Sequence, residues 1–307
     1  MKHLLLEVVE ATEAAALAAS RYVGSGDKLQ IDKVATDAMR DRLNQIEMNA
    51  KVVIGEGIKD GSVGLFQGER VGLLKVADPK PQAYDLAVDP VDGTTQTAKG
   101  GYEAMSVMAV GGFECLLATE VYYMHKIAVG KGVAEKIQIG IKRPIEETVG
   151  VVKLALGKKQ VTACMLDRPR HDSLAARLRS CGCRIKFIQD CDVSGAIAAA
   201  LPESGIDLFV GIGGAPEGVI AAAALKCLGG YFEGYLVDNK TYQAVDDTVL
   251  SPDMLAKGDV MFAATGITEG SLLRGVRHEG KGVITHSIIM ESASRSLKRV
   301  ESYYETA

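Results

Sequence analysis

Apolar residues recur at helical spacing from the start of the chain. Residues 4–22 carry leucine, valine and alanine on that period, and Gly24-Ser25-Gly26 follows as a stop signal. A second helix is predicted from Lys33 to Ile46, on Val34, Ala35, Ala38, Leu43 and Ile46, with Asp32 just ahead of it as N-cap. Lys51-Val52-Val53-Ile54-Gly55 reads as a short buried strand leading to Glu56. Tyr84-Asp85-Leu86-Ala87-Val88 is another, delivering Asp89 at its end. With strand-like stretches at 104–111 and 115–129, the first half is expected to be mostly antiparallel.

The rhythm changes near residue 145. Helices at 145–156, 172–180, 192–201 and 216–228 alternate with strands at 160–166, 184–189 and 206–211. Such alternation predicts a stretch of parallel sheet. The tail returns through strands at 260–264 and 282–291. The expected class is α/β in the mixed, α+β sense, with a largely antiparallel N-terminal sheet and an alternating βα half. No repeat or low-complexity linker interrupts it, so residues 1–144 and 145–307 are expected to pack as one unit.

Composition narrows the function classes. The 307 residues are 47% hydrophobic and 24% charged, an ordinary globular balance. The net charge of −4 and the lack of any Lys/Arg block argue against a nucleic-acid partner. No apolar run approaches the roughly 20 residues of a membrane span. Glu7 and Glu10 interrupt the N-terminus before it could serve as a secretory leader. The six cysteines lack zinc-type spacing, Cys181-Gly182-Cys183 being the one close pair, and reduced thiols in the cytoplasm are expected.

The acidic residues carry the chemistry. Asp89-Pro90-Val91-Asp92-Gly93-Thr94 puts two carboxylates on a tight turn at the end of an apolar strand, with a glycine for close approach and a hydroxyl beside them. Hard oxygen donors of this kind suit Mg²⁺ or Mn²⁺. A solvated Asx-type turn is the competing reading of the hexapeptide alone. Glu56 between two glycines, Asp32 heading a helix and Glu217 in the glycine-rich Gly211–Gly218 segment each also have a plain account, as dipole complements or solvated acids. Together they supply the carboxylates that a two-metal phosphatase uses, with ions about 3.5–4 Å apart. The glycine-rich segment lacks the dinucleotide-binding order, because Pro216 takes the last glycine's position.

These residues resemble the metal-dependent, lithium-sensitive phosphatase superfamily, and further blocks narrow the likeness to class II fructose-1,6-bisphosphatases. They are Gly26-Asp27-Lys28, Ala38-Met39-Arg40, Val53-Ile54-Gly55-Glu56-Gly57, Pro169-Arg170-His171-Asp172, Gly211 to Val219, and Ala264-Thr265-Gly266-Ile267-Thr268, in family order over nearly the whole chain. The resemblance implies a layered α-β-α-β-α fold and hydrolysis of the 1-phosphate of fructose 1,6-bisphosphate by water activated at two Mg²⁺ or Mn²⁺ ions. It assigns Asp32 and Glu56 to one metal, and Asp89, Asp92 and Glu217 to the other. Substrate contacts fall on Asp92, Gly93, Thr94, Tyr123, Arg168, Pro169, Arg170, Asp190, Cys191, Asp192 and Gly214. Thr94 with Asp60 would orient and deprotonate the water.

The two arginines suit the non-reacting phosphate, since a guanidinium binds it bidentately. The sequence departs from the family at Ile58, where a second glutamate is common, at Ser62-Val63 and at Cys191. Alternative substrates are sedoheptulose 1,7-bisphosphate or an inositol phosphate. A non-catalytic sugar-phosphate-binding regulator is the reading from a different class, and the complete acid set argues against it. A homo-oligomer, dimer or tetramer, without membrane or nucleic-acid partners, is expected.

Overall fold

The computed structural model describes residues 1–57, 64–74, 83–137 and 139–305. The chain divides into two compact units, residues 1–118 with 257–307, and residues 119–256. The sequence suggested halves meeting at 144/145. That expectation followed chain order, whereas the tail strands pair with the first unit's sheet and the strand at 123–129 pairs with the second's.

In the first unit, α1 (Leu5–Ser20) and α2 (Lys28–Leu43) pack against each other. The alanine-rich face of α1, with Ala11, Ala15, Ala16 and Ala19 fully buried, also packs on the sheet. Small side chains allow that close approach. Helix α2 begins five residues earlier than its predicted start. Asp27, not Asp32, is the N-cap, its Oδ1 accepting from the Gln30 amide at 3.0 Å. The buried series Ile31, Ala35, Met39 and Leu43 explains this, because it places Ile31 already on the core face.

The first sheet is built from β1 (Asn49–Ile54), β2 (Arg70–Val71), β3 (Ala83–Asp92), β4 (Met105–Gly112) and four tail or edge strands. Helix α3 (Thr94–Lys99) follows β3 directly. Strands β1 and β3 run parallel, while β3 and β4 are antiparallel.

The second unit begins with β5 (Tyr123–Val129), which lies between its own sheet neighbours and is shorter than the predicted 115–129. It continues through α4 (Lys131–Ala134), α5 (Ile145–Leu156), β6 (Thr162–Leu166), α6 (Asp172–Ser180), β7 (Arg184–Ile188), α7 (Asp192–Ala200), β8 (Leu208–Gly214), α8 (Ala215–Leu228), β9 (Tyr231–Val237) and α9 (Pro252–Leu255). Sheet order is β7-β6-β8-β5-β9. The predicted alternation appears as the parallel pairs β6–β7 and β6–β8, while β5 is antiparallel to both β8 and β9. Side chains alternate across β5: Ile127 and Val129 join the core under α5 and α6, and Met124 and Lys126 face the opposite way, toward α8.

The tail supplies β10 (Val260–Gly266), β11 (Arg277–Glu279), β12 (Gly282–Glu291) and β13 (Ser296–Glu305) to the first sheet. Its order is β11-β12-β10-β4-β3-β1-β2, with β13 on β12. Residues 260–266 are buried throughout because β10 lies inside that sheet, between β4 and β12. A buried carboxylate, Glu13 on α1, accepts hydrogen bonds from Thr285, Ser287 and Tyr304 and so ties α1 to β12 and β13. The protein is therefore a mixed α/β fold with two mixed sheets. Among the described residues, no helix is long and apolar enough to cross a membrane.

Candidate active site

The first unit presents its acids where two strands lose register. The β1–β3 ladder shifts between Val52 and Ile54, just before Gly55-Glu56, and the β3–β4 ladder shifts between Asp89 and Asp92. Bulges of this kind re-aim side chains at strand ends. At Gly55 a Cβ would collide with the Leu65 carbonyl, so glycine is needed to bring the chain to Glu56. Gly93, at φ +102°, turns the chain from β3 into α3. The turn is fixed by Asp89 Oδ1, which accepts from the Val91 amide at 3.0 Å.

Thr94 is the first residue of α3, and its Oγ1 donates to Asp32 Oδ1 at 2.6 Å. This contact joins α2 to the hexapeptide, and Lys28 Nζ, at the start of α2, donates to Thr95 Oγ1 in α3 at 2.8 Å. Asp32 is thus a helix-interior residue facing Thr94, with Asp89, Asp92 and Glu56 on the neighbouring strand ends. The expected partner of the Thr94 hydroxyl, Asp60, lies outside the described residues, as do Ile58, Ser62 and Val63.

In the second unit the predicted glycine-rich loop is mostly strand. Gly211 to Gly214 complete β8, and Ala215 opens α8 with Pro216 and Glu217 in its first turn. The glycines leave room for carboxylates. A Cβ on Gly213 would collide with the Asp192 carboxylate, and one on Gly214 with the Glu217 carboxylate. Between these acids stands Lys126 from β5, whose Nζ donates to Asp192 Oδ2 at 2.6 Å, with side chains only 1% and 5% exposed. Burial, and then the nearby Asp192 charge, push the Glu217 carboxyl above its ordinary range, with Lys126 opposing. An acid raised in this way makes the fold less stable as pH climbs above the unfolded value near 4.5. Among the described residues, Glu217 Oε2 and Asp192 Oδ1 are buried without a hydrogen-bond partner.

Lys126 was missed in the sequence. The available signal was a lone lysine in the apolar segment Met124 to Val129, on the same alternating face as Met124 and Ala128. Asp192, expected at the sugar hydroxyls, commits its Oδ2 to Lys126 and keeps Oδ1 without a hydrogen-bond partner among the described residues. Cys191, at φ +64° and 1% exposed, is the N-cap of α7, which explains why glycine suits this position.

The arginine segment lies across the end of β8. Arg170 donates from Nε and Nη2 to the Ile212 carbonyl at 3.1 and 2.8 Å. Its guanidinium sits 5.1 Å from the Tyr123 ring centroid and 5.4 Å from that of Tyr242. Tyr242, in the segment after β9, had no sequence signal. Arg168 lies 3.9 Å from Asp190, a half-buried and long pairing. Buried His171 braces this segment: Nδ1 donates to the Leu166 carbonyl and Nε2 accepts from the Ile212 amide. Burial lowers its pKa, in keeping with that neutral tautomer.

The donors fit a hard divalent ion on two observations. In the first unit, those offered by Asp32, Glu56, Asp89, Asp92 and Thr94 are all oxygen; in the second unit, taken by itself, the buried Glu217 Oε2 has no hydrogen-bond partner among the described residues. Among the described residues, no group of three or more His, Cys, Asp or Glu side chains is placed to hold a metal ion. Mg²⁺ needs no such group, since it keeps waters and is held by one or two carboxylates plus substrate phosphate.

Residues 2–304 match the family described as bacterial fructose-1,6-bisphosphatase, glpX-encoded. The chain belongs to that family of phosphatases. It is 38% identical, over 97% of its length and 94% of the relative's, to a D-fructose 1,6-bisphosphatase class 2/sedoheptulose 1,7-bisphosphatase of Synechococcus sp. (strain JA-2-3B'a(2-13)). It is 36% identical to a fructose-1,6-bisphosphatase 1 class 2 of Escherichia coli (strain K12), covering 99% of this chain and 95% of that one. Among solved structures, an extragenic suppressor from Pyrococcus furiosus matches at a TM-score of 0.32 and 15% identity, covering 64% of this chain and 68% of that one, a likeness too slight to bear on the fold.

Proposed function

We propose that this protein hydrolyses the 1-phosphate of fructose 1,6-bisphosphate, giving fructose 6-phosphate and inorganic phosphate. The observation that carries the reading is the match of residues 2–304 to a fructose-1,6-bisphosphatase family. The oxygen-only acid set agrees with it. We assign Asp32, Glu56, Asp89, Asp92 and Glu217 as ligands of two ions, Mg²⁺ or Mn²⁺. Bound there, such ions neutralise phosphoryl charge, acidify water and stabilise the leaving oxygen.

The chain's own residues do the positioning. Because Thr94 gives its hydroxyl proton to Asp32, its oxygen lone pairs are directed to accept from the attacking water. Asp60 is the base assigned to the proton released in that attack. Asp92, Gly93 and Thr94, at the turn from β3 into α3, are assigned to the reacting phosphate. Arg168 and Arg170 bind the distal phosphate, the latter with its plane set by Ile212, Tyr123 and Tyr242. Asp190, Cys191 and Asp192 with Gly214 border the sugar, Asp192 through the oxygen that Lys126 leaves unused. Pro169 holds the turn between the arginines.

Sedoheptulose 1,7-bisphosphate is the second reading, favoured by the double activity in the Synechococcus relative's name. We assign the enzyme to the cytoplasm, which suits six free cysteines, and to a homo-oligomer, dimer or tetramer. Replacing Arg170 with Ala tests the substrate grip. KM for fructose 1,6-bisphosphate should rise about tenfold to a hundredfold, matching a lost charged hydrogen bond of ~1.5–3 kcal/mol, with a smaller change in kcat. An unchanged KM would remove Arg170 from the substrate site.

A further inference from the structure

Beneath α5 and α6, on the sheet face away from Lys126, the second unit forms a solvent-open pocket of about 500 Å³. That is the size of a small-molecule site. None of the residues assigned above lines it. Ile127 and Val210 form the floor, with Ile141, Ile145 and Leu174 as apolar walls.

Three cations, Lys142, Arg143 and Arg177, stand around this apolar space. The twelve-residue helix α5 starts there with Pro144 as N-cap, so the positive end of its dipole adds to them. The carboxylates paired with two of the cations are exposed. Glu146 takes Arg177 through two 2.7 Å contacts, and Asp247 takes Lys142 at 3.3 Å. The Lys142–Asp247 pair is long and solvent-exposed, so an arriving anion competes with it. His125 lines the same space, its Nδ1 sharing a hydrogen bond with Tyr235 Oη at 2.7 Å. Burial lowers its pKa to about 4, so the ring offers neutral hydrogen bonding and no charge.

We propose that this pocket is a second ligand site, taking a small organic anion whose apolar ring lies against Ile127, Ile141 and Leu174 and whose phosphonate, phosphate or carboxylate group meets Lys142 and Arg143. The assignment does not depend on the phosphatase reading.

Phenylphosphonate, which has no ester to hydrolyse, is the probe. Titration calorimetry on the full chain should show binding that survives Arg170→Ala, weakens at least tenfold in Arg143→Glu, and is lost in Leu174→Trp, where the indole fills the pocket. Inorganic phosphate, lacking the ring, should bind at least tenfold more weakly. In the unmutated protein, methyl NMR should show contacts from the phenyl protons to Ile127, Ile141 and Leu174, which needs no variant to fold. The proposal is overturned if the probe fails to bind at millimolar concentration, if Arg170→Ala alone abolishes binding, or if those methyl groups show no contact.

Discussion

Replacing Asp92 with Asn should lower kcat on fructose 1,6-bisphosphate by on the order of 10³-fold, the scale of losing a contact made mainly in the transition state. Asp92 is 5% exposed at the end of β3, next to the register shift that aims the hexapeptide. Asn keeps its shape and volume but removes the negative charge that a divalent ion requires. The thermal midpoint without metal should stay within a few degrees of the parent, because the substitution relieves a buried charge rather than creating one. The midpoint increase produced by added Mn²⁺ should shrink in the variant. Retained turnover would remove Asp92 from the metal centre, and a collapsed midpoint would make its role structural.

The largest effect on stability belongs to Lys126. Changing it to Met would leave the Asp192 carboxylate buried without its cation and strip Glu217 of a nearby positive charge that opposes its burial. Breaking a buried pair from one side costs about 3–5 kcal/mol, because the remaining charge is uncompensated. Urea denaturation should therefore show a much lower midpoint with an unchanged slope. A second substitution, Asp192→Leu, should recover part of the loss in the double variant, since replacing both partners with apolar groups is far less damaging. A loss below about 1 kcal/mol in the single variant would mean that Lys126 and Asp192 are solvated enough to stand apart.

Both residues bear on how much of this molecule could be read from its sequence. The Asp89–Thr94 hexapeptide announced itself because its chemistry is local: two acids, a glycine and a hydroxyl within six positions. The βα alternation after residue 145 was equally visible, since each element there carries its own period. Lys126 was not, because its partners Asp192 and Glu217 lie 66 and 91 positions away and meet it only when β5 pairs with β8. Tyr242 was hidden for the same reason, stacking on Arg170 from a segment without pattern.

The start of α2 was misplaced because Asp27 and Asp32 are both plausible caps. Ile31 decides between them, since its burial requires the helix to have begun already. The division into units was misplaced because strand pairing ignores chain order: β10 and β12 return to the first sheet after the second is complete. The acids were found by their residue types, and the groups that hold them required the fold.

The most direct test is phosphate release from fructose 1,6-bisphosphate by the purified protein after chelation, then with Mg²⁺ or Mn²⁺ restored, with sedoheptulose 1,7-bisphosphate and inositol 1-phosphate in parallel. No turnover is expected in chelator, turnover of fructose 1,6-bisphosphate with a divalent ion, and little or none of inositol 1-phosphate. No phosphate release from either bisphosphate with both metals, from a protein that they nonetheless stabilise, would mean a sugar-phosphate-binding protein in place of the enzyme.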